Sequence, residues 1–295
     1  MDRARDDPLA FYAAPGPMTH LDGPPGALAG LPGDPAGLAR VVQGLVLHPF
    51  WAHAYGVVVP ATRQDEVQIR PAAGMVDRIL EIDGRPLVEG RVPGHRFVGN
   101  CRHFSTLTVA LLRSAGVPSR ARCGFAGYFE VGKWVDHWIV EHWDGARWVR
   151  LDAQLDDLQL AAVGTVENPA DLAPGLFLSA GEAWQRCRRG EEEGDAFGIL
   201  DMWGRWFIEG NVARDLAALN KVEMLPWDGW GSLAGPGDGT DRTELVDQVA
   251  ALTLSDDLAL LRDRYQHDDG LRVPSRVMSY AAPTGPTEVE VPELA

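Results

Sequence analysis

The stretch from Asn100 to Gln154 constrains the fold more than any other part of the chain. Asn100 can cap a helix, Gly116 and Pro118 supply a stop, and CRHFSTLTVALLRSA between them reads as one helix over residues 101–115. Three strand-like runs follow: Ser119 to Phe129, Trp134 to Trp143, and Arg147 to Gln154. Asp144-Gly145 separates the last two runs and signals a hairpin.

The rest of the chain divides by composition. Residues 1–37 read as an irregular arm, because 13–37 are rich in Gly and Pro. Residues 38–165 form the expected core. Within it Leu38 to Val46 is a short helix, and 65–82 is a second with Val67, Met75, Ile79 and Leu80 buried; Arg85 to Pro93 is a loop. Residues 166–267 read as a helical extension. Ser179 and Glu182 have capping-box spacing, and Gly190 closes that helix. Asn211 is placed as the cap of VARDLAALNK, and Ser255 as the cap of DDLALLRDRYQ. Residues 268–295 have no helical period and are expected to run extended over the surface.

Charge and cysteine usage narrow the function classes. The 295 residues carry 27 Lys plus Arg against 42 Asp plus Glu, a net charge of −15 with no basic cluster to offset it. Phosphate backbones are repelled by such a surface, so nucleic acid is excluded as a partner. Cys101, Cys123 and Cys187 make neither a disulfide framework nor a C-x-x-C pair. His48 and His53 lack a third ligand at credible spacing, so no metal and no cofactor is expected. The start MDRARDDPLA is acidic where a signal peptide is basic and apolar, and no apolar run spans a bilayer. The expectation is a soluble cytoplasmic protein with no membrane partner.

The chemistry points to Cys101. As the first residue of a helix it meets unpaired backbone N–H groups and the positive end of the helix dipole, which favour an anion. Those amides can also hold an oxyanion. A two-residue turn at Asp144-Gly145 pairs Trp143 with Ala146, which carries His137 opposite Asp152 at a separation suited to a hydrogen bond. The reverse face then carries Trp138, Val140, Val149 and Leu151, with His142 on it as a structural residue. In these roles Cys101 attacks an acyl carbon, His137 moves the proton, and Asp152 orients the ring. Asn100 and Arg102 are candidates for oxyanion support beside the nucleophile. Cys123 reads as a small buried hydrophobe and Cys187 as non-catalytic.

The segments NCRHFSTLTVALLRSAGVPSRARCGF and DHWIVEHWDGARWVRLDAQ resemble the transglutaminase-like superfamily over about residues 95–156. In those proteins a Cys opens a helix ending in L-L-R-x-x-G-[IV]-P-x-R. A His follows on a strand, then a D-G turn, then W-V-x-L-D. The resemblance implies a papain-like α+β fold, calcium-independent acyl transfer, and Cys101, His137 and Asp152 in the three catalytic positions. The later stretch DMWGRWFIEGNVARDLAALNKVEMLPWDGWG is similar to a longer bacterial form of these proteins. Its Trp203, Trp206 and Trp227 are candidates for a substrate wall.

Three functions stay open at this point. One is amide formation or exchange, from a small-molecule or peptide acyl donor, or a carrier-protein thioester, to an amine. A second is a cysteine peptidase or amidase, with water resolving the same thioester. The third is a non-catalytic binding module on the same fold.

Overall fold

A computed structural model of the chain describes residues 7–21, 26–232, 240–281, 285–291 and 294. It contains two compact units interleaved in sequence: Leu9–Ala121 with Ile139–Leu172, and Met1–Pro8 with Arg122–Trp138 and Ala173–Ala295. The first holds Cys101 and Asp152, the second His137.

In the cysteine-bearing unit a short helix α1 (Pro8–Ala13) precedes α2 (Pro35–Leu45). Helix α2 starts earlier than the apolar run suggests, because Asp34 accepts from the Gly37 N–H at 2.7 Å and Pro35 fits the first helical position. The arm before it is not merely draped over the body: Met18 and Thr19 are buried, and the Met18 carbonyl accepts from Ala72. Strand β1 (Val46–Leu47) pairs in parallel with β2 (Phe97–Val98). The helix expected over 65–82 is two pieces. Ala61–Gln68 is 3-10, and α3 (Ala72–Ile82) begins only after Pro71, which cannot continue a helix from the preceding turn. Met75 and Ile79 are buried as expected, but Ala72 and Val76 take the inner places expected for Val67 and Leu80.

Helix α4 (Cys101–Ser114) is the centre of this unit and packs on α2 and α3. Its side chains from Cys101 to Arg113 are all buried, polar ones included. Strands β3 (Ser119–Ala126) and β4 (Trp134–Trp143) follow, each with residues in both units, and then β5 (Trp148–Leu151). A short helix α5 (Asp157–Val163) completes the set.

The β4–β5 hairpin differs from the two-residue expectation. Trp143 pairs with Trp148, not with Ala146, and Val140 pairs with Leu151. The loop is four residues long because the Asp144 side chain accepts from the N–H groups of both Ala146 and Arg147 at 2.8 Å, and Asp144 N–H donates to the Arg147 carbonyl. The position opposite Asp152 therefore belongs to Ile139, not His137. The two added residues leave the side-chain alternation unchanged.

The histidine-bearing unit holds the strand order β6–β3–β4–β7–β8, with β6 (Phe177–Ser179), β7 (Phe197–Ile199) and β8 (Met202–Trp203). Helices α6 (Ala180–Arg188), α7 (Arg205–Leu219) and α8 (Thr243–Thr253) pack on one another. The Ser179–Glu182 capping box and the left-handed Gly190 end α6 as expected. Helix α7 begins at Gly204, so Asn211 is an interior residue and not a cap. In α9 (Leu258–His267) Asp257 is the cap, while Ser255 only accepts from the Asp257 N–H. The C-terminal residues are not simply extended over the surface. Strands β9 (Asp228–Gly229), β10 (Arg276–Ser279) and β11 (Thr287–Glu290) form an antiparallel sheet, with Val277 and Ser279 buried.

Candidate active site

The cysteine sits at a well-organised helix start. Asn100 is extended at φ −94° and its side-chain oxygen accepts from the Arg102 N–H at 3.1 Å. His103 completes a capping box. Its Nε2 lies 3.1 Å from the Ile69 carbonyl, which can only accept, so the ring proton sits there. Nδ1 is left to accept from the Asn100 N–H at 3.1 Å. Burial, with the Arg102 charge adding to it, holds His103 well below the usual histidine range, so the ring is neutral. Cys101 is then the first helical residue and 7% exposed, and the N–H groups of Arg102, His103 and Phe104 after it donate to Asn100.

Arg102 does not project beside the nucleophile into solvent. It is fully buried and donates to the Arg70 carbonyl at 2.6 Å, tying α4 to the segment before α3. Glu66 fixes the approach to the helix in the same way. It accepts from the Val98 N–H at 2.8 Å and pairs with Arg63 and Arg78. These bonds outweigh its burial and hold its carboxyl below the usual range.

Asp152, also in this unit, lies just beyond β5 and is 1% exposed. Its Oδ1 accepts from the Gln154 N–H at 2.9 Å, and its own N–H donates to the Pro169 carbonyl. The backbone thus holds the carboxylate on a short turn.

His137, in the other unit, is buried on β4. Phe129 and Tyr128, from the loop after β3, meet its ring edge-on at 5.0 and 6.0 Å. Sequence reading missed both, although GYFE between two strands is an aromatic loop. It also missed the polar group on α7. Asn211 Nδ2 donates to Asp136 Oδ1 at 2.7 Å, next door to His137, and Arg214 donates to Asn211 Oδ1. Burial pushes the Asp136 carboxyl up, against that hydrogen bond and the Arg214 charge. Asp215 holds Arg122 through both carboxylate oxygens and accepts from the Cys123 N–H. The i, i+3, i+4 spacing of Asn211, Arg214 and Asp215 was the available signal for a buried polar stripe.

The three tryptophans lie on separate elements. Trp206 Nε1 donates to the Trp203 carbonyl at 3.0 Å, so these two are neighbours at the start of α7. Trp227 instead precedes β9, where its carbonyl accepts from the Tyr280 N–H. Cys123 is buried on β3, and burial pushes the Cys187 thiol up to about 11, far from a thiolate at neutral pH. Among the described residues no group of three or more His, Cys, Asp or Glu is arranged to hold a metal. Nor does any described helix have the length and apolarity to cross a membrane.

Residues 88–153 match the model of a family described as the transglutaminase-like superfamily, and this segment contains α4, β3, β4 and β5. That segment, about a fifth of the chain, is what is similar to the superfamily. Among solved structures, one described as "a Putative Cysteine Protease from Cytophaga hutchinsonii" is 16% identical with a TM-score of 0.32. The match covers 50% of this chain and 43% of that one, so less than half of that protein's length is spanned. No curated protein matches the chain. The transglutaminase-like core is a mixed α+β structure, in agreement with the papain-like arrangement expected from the sequence.

Proposed function

We propose that the protein is a cysteine-dependent acyl-transfer enzyme in which Cys101, His137 and Asp152 act as nucleophile, proton carrier and orienting carboxylate. One observation carries this reading. Cys101 is the first residue of a side-chain-capped helix inside the segment that matches the transglutaminase-like family. Such a position sets the nucleophile at the positive end of the helix dipole, where negative charge developing in the transition state is favoured. The β4–β5 register supports the rest: Glu141 and Arg150 pair across it, and His137 on β4 and Asp152 just past β5 are each an even number of residues from that pair, on its face.

In this scheme the Cys101 sulfur bonds to the acyl carbon. The bond to the leaving group breaks, and His137 supplies its proton. An amine then attacks the thioester carbon, the carbon–sulfur bond breaks, and His137 takes the proton from nitrogen. The acyl donor is a small molecule, a peptide or a carrier-protein thioester, and water in place of the amine gives hydrolysis. The enclosed aromatic surroundings of His137 favour the amine by limiting water.

The test is intact-mass analysis after incubation with acyl thioesters. An adduct on Cys101 that forms in the native chain, is absent in Cys101→Ala, and is discharged faster by amines than by water is the expected result. Cys101 that is alkylated no faster than a free thiol, with activity retained in Cys101→Ala, overturns the reading.

A further inference from the structure

Arg40, exposed on α2, stands apart from the other cations. Among the described residues, every other lysine and arginine has a hydrogen-bond, ion-pair, ring or electrostatic partner, and Arg40 has none. The chain carries 42 Asp plus Glu against 27 Lys plus Arg, so acceptors are in excess. A guanidinium left open under those conditions is available to an acceptor from outside the chain.

Its setting is a hollow of about 380 Å³ within the cysteine-bearing unit, at the small end of ligand cavities. Helix α2 buries Leu38, Val42 and Leu45 along one face. Gly37, Arg40 and Val41 follow one another at helical spacing on the side next to it, and they line the hollow. Pro32 lines it from before the helix, and Val88 and Gly90 from the loop after α3.

That loop is tied down. The buried Arg91 guanidinium donates to the carbonyls of Asp83, Arg85, Pro86 and Glu89. The Arg91 N–H donates to the Gly44 carbonyl at 2.8 Å, and the Leu87 N–H to the Ala27 carbonyl at 3.2 Å. A Cβ on Gly44 would stand 3.1 Å from the Gly90 Cα, so glycine lets loop and helix meet closely. Val88 is thereby held 40% exposed on a fixed support. The wall has its shape before a ligand arrives, which lowers the cost of binding.

The lining selects the ligand. A guanidinium presents a fork of N–H groups that matches a carboxylate, and proline and valine offer only apolar surface. We propose that the hollow binds an aliphatic monocarboxylate, with its charge on Arg40 and its carbon chain against Pro32, Val41 and Val88. A free acid and the terminal carboxylate of a peptide ending in an aliphatic residue share this chemistry. The site lies within one unit and does not depend on the acyl-transfer reading.

The test is titration calorimetry on the full chain with sodium hexanoate, acetate, hexanol and inorganic phosphate. Hexanoate is expected to bind. Acetate lacks the carbon chain, hexanol the charge and phosphate the apolar body, so each should bind at least about tenfold more weakly. Arg40→Gln and Val88→Asp should each weaken hexanoate by about tenfold or more, the first by removing the charge and the second by repelling it. Arg40→Gln should leave Tm level, as surface substitutions without a partner do. Cys101→Ala should bind hexanoate as the native chain does. N-acetyl-glycyl-leucine separates the two sources: tighter binding than hexanoate assigns the site to a peptide terminus and weaker binding to a free acid, and both keep the shared chemistry. Unchanged affinity in Arg40→Gln, phosphate or acetate binding as tightly as hexanoate, or no saturable binding up to about 50 mM overturns the proposal. So does loss of hexanoate binding in Cys101→Ala, which would put the ligand at the cysteine.

Discussion

Helices α4 and α7 are of similar length and each lies deep in its own unit, but they handle their polar residues differently. Helix α4 caps its start locally through Asn100 and His103, while its last buried polar residue, Arg113, donates to the Tyr12 carbonyl and to Thr19. Helix α7 has no side-chain cap at Gly204 and places Asn211, Arg214 and Asp215 along its middle. Those residues bond to strands distant in sequence: Asn211 to Asp136 on β4, Asp215 to Arg122 and Cys123 on β3. The first helix organises its own N-terminus, where Cys101 sits. The second acts as a brace for the strands that carry His137. A polar residue whose partner lies a few positions away can be read from sequence, and one whose partner is dozens of positions away cannot.

The largest expected effect separates the two kinds directly. Asp215→Ala leaves the buried Arg122 guanidinium without its carboxylate and Cys123 N–H without an acceptor. A loss of about 3–5 kcal/mol in urea unfolding is expected. A loss below about 1 kcal/mol would remove α7 from the role of brace. Next comes Asn211→Ala, which strips the donor from a buried Asp136 and an acceptor from Arg214. The expected cost is about 1–3 kcal/mol. A cap role for Asn211 predicts that Asp or Ser at this position restores stability. The interior role predicts that Asp makes it worse, by setting two carboxyl groups against each other.

Asn100→Ala is expected to cost less, about 1 kcal/mol, the usual value of one helix cap. Its larger effect should fall on thiol chemistry, as slower alkylation of Cys101, because the first turn of α4 loses its order. Serine at this position should recover most of both. If alkylation and stability move by the same factor, the cap serves the fold alone.

Legibility followed the same division. The α4 start, the β4 limits and the α6 capping box rest on local signals, and they were read correctly. The hairpin loop was misread because Asp-Gly serves both two-residue and longer turns, and only the bonds from Ala146 and Arg147 to Asp144 decide between them. That error moved the partner of Asp152 by two positions and so left the faces intact. Asn211 was misread because asparagine is common at caps and its true partner lies on β4. Leu200, at φ 56°, was invisible, since no sequence rule expects leucine at positive φ. Tyr128 and Phe129 were not assigned because nothing local says that a loop aromatic folds back onto a histidine.

The smallest expected effect concerns pH and returns to α4. His103 is neutral in the fold, its affinity for a proton lowered first by burial and then by Arg102, with His48 and Arg70 adding to the effect. A histidine depressed in this way contributes stability that is present above its unfolded value of about 6.5 and lost as pH falls below it, since only the unfolded chain binds the proton readily. Protonation would also turn Nδ1 from acceptor to donor, moving its bond from the Asn100 N–H to Asn100 Oδ1, which lies 2.8 Å away. His142 is depressed by burial as well and acts with the same sign, so the native chain alone does not isolate one ring. His103→Gln does. Glutamine at the third helical position can still accept from the cap N–H, and it does not titrate. Urea midpoints at about pH 7.5 and about pH 5.5 should fall together in both proteins, but less in the variant. Identical falls would mean that folding leaves the proton affinity of His103 unchanged, and a smaller fall in the native chain would mean that it is raised; either way the neutral capping box at Cys101 would have to be abandoned.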